Sequence, residues 1–183
     1  QIQAQFLREP DALQTGKPAS AKLRIVYGAS GNFVSQVLQG APIALLLAAD
    51  EQSIERLHAA GRSEDGGVAY ASGRLALFVP QQSLAVWQPD AAMQAAQFAS
   101  GGSTQGGILA LSLALTPALQ QRGRHVVLPA SLHQPIHQRM ALMRGAGEAA
   151  RALYRYLQQP AAQAILLAHG YAAPGADAAK ATP

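Results

Sequence analysis

Hydrophobic positions along this chain follow two periods, and each change of period marks an element boundary. Leu23 to Val26 is a continuous apolar run, so Lys22 to Tyr27 reads as a short strand. It leads through Gly28-Ala29-Ser30-Gly31 into Phe33, Val34, Val37 and Leu38, the spacing of one helical face. Ser30 is the expected N-cap of a helix running to about Gln39. Gly40-Ala41-Pro42 closes it, and Ile43 to Ala48 is the unbroken apolar run of a strand covered on both faces. Strand, helix, strand predicts a parallel unit. Asp50 is expected to cap a helix through Ile54, Leu57 and His58 that ends at Gly61. Within Tyr70 to Pro80, Arg74 to Val79 reads as a strand stopped by Pro80.

The second half is more broken. Gln81 to Pro89 is loop-like, Asp90 is a good cap, and Ala92 to Ser100 has the pattern of a short helix ended by Gly101-Gly102-Ser103. Gly107 to Leu113 reads as an apolar strand, Pro117 to Gly123 as a connecting helix, and His125 to Leu128 and Ile136 to Leu142 as strands. A long helical pattern over Glu148 to Gln158 and Ala161 to His169 is interrupted at Pro160 and ended by Gly170. At the start, Ile2 and Phe6 suggest the tail of a helix, Pro10 to Lys22 a loop, and Pro174 onward an Ala-rich tail. Alternating strands and helices predict an α/β fold, in which ligands sit outside the carboxyl ends of the strands.

Composition narrows the function more than the fold. The 183 residues are 49% hydrophobic and 13% charged, with aromatics only 5%, so few rings are available to stack on bases. The net charge of +4 would suit an acidic partner, yet the basic residues form no run, and Arg122, Arg124 and His125 read as a solvated loop. A nucleic-acid partner is therefore not expected. Cysteine is absent, which excludes disulfides and thiolate metal sites. No stretch reaches the roughly 18 apolar residues of a membrane helix. The opening Gln1-Ile2-Gln3-Ala4 has neither a basic n-region nor an apolar h-region, so an export signal is expected to have been removed or never to have existed.

Little in the chain carries covalent chemistry. Gly28-Ala29-Ser30-Gly31 lacks the spacing of a nucleophile elbow, and no phosphate-binding Gly-rich loop is present. His133 and His137 are spaced for a metal on a helix, but Pro135 between them disfavours one, so no cation site is expected. What remains are helix starts, where unpaired N–H groups suit an anion. Ser30 and Gly31 form one such corner, and the amides of Ala92 and Met93 behind Asp90 could form a second. Neutral donors of fixed geometry would suit a dianionic oxyanion and reject other anions by cavity size. The alternative is that Ser30 and Asp90 are only caps.

The order of several short motifs adds to this. Ala-Ser-Gly-Asn-Phe at 29 to 33, Gln36, Gly40-Ala41-Pro42, Ala49-Asp50 and Gly73-Arg74-Leu75-Ala76-Leu77 resemble the molybdate-binding periplasmic proteins of ABC importers. So do Ala95-Ala96-Gln97-Phe98, Ala110-Leu111-Ser112, Leu128-Pro129-Ala130 with His133-Gln134-Pro135-Ile136, and the run from Tyr156 through Pro160 to Gly170-Tyr171. The resemblance implies a type II periplasmic-binding-protein-like α/β fold: two lobes of mixed, mainly parallel sheet flanked by helices, one or both incomplete. The expected limits are 1–80 for a first lobe lacking its N-terminal strand and 81–145 for a truncated second lobe. C-terminal helices over 146–173 would pack back on the first lobe, with a disordered tail at 174–183. It implies a non-enzymatic, monomeric periplasmic protein with no cofactor. Its ligand would be molybdate or tungstate, passed to the membrane subunits of an ABC importer, with Ser30, Gly31, Ala92 and Met93 as donors.

Departures from the family pattern are equally readable. A first strand with ligand donors would precede Gln1, and further strands, helices and a ligand loop would stand where only Gln81 to Pro89 separates Pro80 from Asp90. Gly40-Ala41-Pro42-Ile43-Ala44 and Ala48-Ala49-Asp50 carry Ala where the family has polar residues. A binding-incompetent relative acting as a structural or regulatory module is the alternative, and a hydrolase built on Ser30 a third.

Overall fold

The computed structural model describes residues 23–81 and 106–175. The chain divides into two compact units, residues 1–71 with 137–165 and residues 72–136 with 166–183. The limits at 71/72 and 136/137 fall inside strands and the one at 165/166 inside a helix, whereas the sequence reading put lobe limits at 80/81 and 145/146.

In the first unit, helix α1 (Ser30–Leu38) is followed by strand β1 (Leu45–Ala48) and helix α2 (Glu51–Ala59). Strand β2 (Val68–Gly73) comes next, and β6 (Ile136–Leu142) enters from far along the chain to give a three-stranded sheet in the order β1-β6-β2. The β1–β6 ladder is antiparallel, with Leu45 opposite Leu142 and Ala48 opposite Arg139. Because strand side chains alternate, Leu46, Ala48, Ala141 and Met143 share one face. Val34 and Val37 of α1 and Ile54 and Leu57 of α2 pack with them into one buried cluster. The period-3.6 spacing seen in the sequence is thus the face that closes this core. Helices α5 (Glu148–Leu157) and α6 (Pro160–Ala168) contribute a second cluster of Ala152, Tyr156 and Ala162, against which Leu23 packs. Arg151 of α5 holds Glu64 through both guanidinium nitrogens, and that hydrogen bond raises the arginine's pKa further above its ordinary value. Tyr154 on the same helix is also raised, first by desolvation and then by the charge of Asp65.

The second unit is built on another three-stranded sheet, β4-β3-β5, from β3 (Leu75–Pro80), β4 (Gly107–Ala110) and β5 (Gly123–Val127). Both of its ladders are antiparallel. Short helices α3 (Leu111–Ala114) and α4 (Pro117–Gln120) cover it, so that Ala76, Phe78, Leu109, Leu111, Ala114 and Leu119 form its core. A backbone pair between Ser72 and Ala172 fastens the end of the described chain to the start of this unit.

Several expectations are corrected. Residues 23–29 form no strand, because an apolar run becomes a strand only by pairing and no described strand pairs with it. Ile25, Val26 and Tyr27 are 42%, 58% and 88% exposed as a result. The parallel unit through α1 is therefore not formed, and β1 pairs antiparallel with β6 instead. Nor is β1 covered on both faces, since Leu46 and Ala48 are buried while Leu47 is 41% exposed. The run Gly107 to Leu113 stays extended only to Ala110; the amide of Leu111 bonds back to the Arg74 carbonyl and the chain turns into α3. The capped helix at Asp50, the strand Ile136–Leu142 and the break at Pro160 stand where the pattern put them. The readings for 1–22, for the helix Ala92 to Ser100 and for the tail from 176 lie outside the described residues.

Among the described glycines of the first unit, Gly67 has the tightest backbone approach. Its φ is +70°, and a Cβ there would stand 2.4 Å from the Met140 carbonyl oxygen and 2.9 Å from Ile54 Cγ2. Strain and overlap add, so Gly67→Ala should destabilise the protein by about 2–4 kcal/mol, read as a lower urea midpoint at unchanged slope.

Candidate functional site

Two helices of the first unit begin beside the same strand end. β1 stops at Ala48, and two residues later α2 opens with Asp50 as its N-cap. Asp50 Oδ1 accepts from the Ser53 amide at 2.7 Å, and Oδ2 accepts from Ser53 Oγ at 3.0 Å. The positive end of α2 is thereby filled by the chain's own carboxylate.

The start of α1 is arranged differently. Its N-cap is Ala29, which has no side chain to offer, so Ser30 is the first helical residue and not the cap that the sequence suggested. The reason is local: the Ala29 carbonyl already accepts from Asn32 and Phe33 at 3.1 and 3.3 Å, which leaves Ser30 Oγ free to look elsewhere. It accepts the amide of Ala49 at 3.0 Å. A hydroxyl has one donor and two acceptor sites. With an acceptor site committed to Ala49, the O–H remains available as a donor. The first amides of a helix have no partner within it, and no described residue accepts from those of Ser30 or Gly31. A Cβ added at Gly31 would meet nothing within 4 Å, so the space beside it is open. Ser30 is half-buried and Gly31 exposed. One hydroxyl and two amides thus converge on a helix start that carries no acidic side chain in its first turn.

Around this corner the charges of Arg139 and Glu51 offset each other, and the Asp50 carboxylate is spent on the start of α2. Arg139 stands opposite Ala48 on β6, and its Nη2 lies 3.4 Å from Glu51 Oε1, the first residue of α2. Arg139 and the Ala49 amide escaped the sequence reading. The Ala49 contact was implicit in the short gap between the end of β1 and Asp50, but nothing local tells that β6 would deliver Arg139 there. Ala92 and Met93, the other expected donors, lie outside the described residues. His133 turns its Nδ1 to the Gln134 carbonyl at 2.8 Å, while His137 lies in β6. Among the described residues, no three metal-ligating side chains come together.

Two α/β units, with a donor-rich, uncapped helix start at a strand end in one of them, are an arrangement suited to holding a small solute. The chain belongs to the bacterial extracellular solute-binding protein family, whose sequence model matches residues 2–90 and 83–172. It is thus a transport component and not an enzyme. The molybdate-binding protein ModA of Azotobacter vinelandii is 27% identical over 208 aligned positions, covering 87% of this chain and 82% of that protein. Those 208 positions exceed the 183 residues here, so the relative carries segments that this chain lacks. Among solved structures, the A. vinelandii periplasmic molybdate-binding protein superposes with a TM-score of 0.71 at 24% identity, over 93% of this chain and 92% of that one. The substrate-binding domain of a molybdenum ABC transporter protein from Clostridium difficile gives 0.70 at 15% identity, over 94% and 93%. These likenesses establish the fold, an α/β periplasmic-binding-protein fold, partly incomplete here.

The contrast between the two helix starts makes a measurable difference. Asp50→Ala removes a carboxylate cap and should cost about 1 kcal/mol. Ser30→Ala removes no cap and leaves only an exposed amide for water to take, so it should cost less, by about half or more. Parallel urea melts check the order.

Proposed function

We propose that this chain is an extracytoplasmic receptor that captures a tetrahedral oxyanion, molybdate or tungstate, and passes it to the membrane subunits of an ABC importer. Support comes from the family, from the molybdate-binding relatives, and above all from the Ser30 corner. There the Ala49 amide holds Ser30 Oγ so that its O–H and the amides of Ser30 and Gly31 form a neutral donor set. Fixed neutral donors bind a dianion without reorganising and discriminate by size, where a flexible lysine would take any anion. The amides of Ala92 and Met93 are the further donors in this reading. The receptor acts as a monomer in the periplasm.

A second reading, a retained fold that no longer captures ligand, draws on the relative's extra aligned segments and on the unpaired run 23–29. The two part on one experiment. At molybdate about a hundredfold above Kd, binding to the folded state alone contributes about 2.7 kcal/mol, or roughly 5–10 °C in Tm for a protein of this length. The first reading expects that shift with molybdate and its loss in Ser30→Ala. The absence of any shift at millimolar molybdate leaves only the second.

A further inference from the structure

A cavity of about 280 Å³ lies wholly within the first unit, at the opposite end of α1 from Ser30. Its lining includes Val37, Pro42, Ile43 and Met143, together with Arg62 and Arg144. The helix puts its two ends about 12 Å apart, so this cavity is separate from the oxyanion corner.

Its chemistry is unlike that corner's. Both α1 and α2 end here, and helix C-termini are partly negative. Their last carbonyls are already occupied: the amides of Gly40 and Ala41 return to Val37 and Gln36, and those of Gly61 and Arg62 return to His58 and Leu57. The amides of Ile43, Met143 and Arg144 are also spent, on Ala41, Ala44 and Arg62 carbonyls. No backbone donor on these residues is left for a ligand, and the donors that remain are guanidinium N–H groups. Arg62 gives one nitrogen to the Leu38 carbonyl at 3.1 Å, which uses one of its five donors. Among the described residues neither arginine is paired with a carboxylate, and none of the lining residues is acidic. The two exposed guanidinium groups are therefore the formal charges on the lining.

We propose that this cavity is a second ligand site, for a small monoanion with an apolar body, a carboxylate carrying a short hydrocarbon or ring. The carboxylate takes a fork of N–H groups from Arg144 with help from Arg62, the geometry for which guanidinium is suited. Its apolar part lies mainly on Pro42 and Ile43, because Val37 and Met143 beneath them are only 5% and 3% exposed. An inorganic oxyanion would leave that wall wet, and a neutral molecule would leave the arginines unanswered.

The test uses the full chain and benzoate as the probe, followed by backbone amide NMR, with benzyl alcohol and inorganic phosphate as controls. Saturable shifts at Gly40, Ile43 and Met143, absent at Ser30 and Gly31, are expected with benzoate and not with either control. Arg144→Ala should weaken benzoate by about tenfold or more, with Arg144→Lys between the two and the Tm unchanged. No saturable shift at millimolar benzoate, an equal response to the alcohol, an equal response to phosphate, or unaltered affinity in Arg144→Ala would each overturn the proposal. Molybdate titrations of the same samples report separately on Ser30.

Discussion

The hydrogen bond from the Ala49 amide to Ser30 Oγ joins the start of α1 to the residue that follows β1, and the binding proposed for this corner depends on it. Without that bond the Ser30 hydroxyl could rotate among its rotamers, whereas Ser35 further along the helix is held by donating to the Gly31 carbonyl at 3.0 Å. With it, the oxygen is fixed by a backbone group whose own position is set by the buried β1–β6 ladder. The donor set is therefore prepared by the core, and the ordering cost falls on folding and not on ligand capture.

That dependence runs through particular packing. Ala48, fully buried, sits opposite Arg139, while Val34 and Val37 hold α1 against the same sheet face through Leu46, Ile54 and Leu57. Small side chains at 48 and 49 let the start of α1 approach the end of β1 closely enough for a direct bond. The two helix starts then differ in what satisfies them. Asp50 answers α2 with a charge from within the chain, while α1 begins on Ala29 and stays open. The pairing of Arg139 with Glu51 leaves no free cation in the described surroundings of this corner, so the anion binding proposed there would rest on oriented dipoles.

Much of this was legible in the sequence, and the limits have physical causes. Helix faces in α1, α2 and α5 repeat every three to four residues and show themselves locally, as do the Asp50 cap, the stop at Gly170 and the break at Pro160. Pairing is not local. Nothing near Leu23 to Val26 says whether a partner strand is at hand, and nothing near Ile43 to Ala48 says that β6, some ninety positions later, would be its antiparallel neighbour. A serine after Gly-Ala reads as a cap, whereas the Ser30 oxygen reaches across to accept from Ala49. Family likeness pointed to the same residue. Arg139 could not be found, because its place beside the corner is a matter of register alone.

Equilibrium dialysis of the purified chain against micromolar molybdate, followed by elemental assay of molybdenum, tests the central claim most directly. The account predicts close to one molybdenum retained per chain, displaced by tungstate and lost in Ser30→Ala. Molybdenum no higher inside the dialysis bag than outside would contradict it.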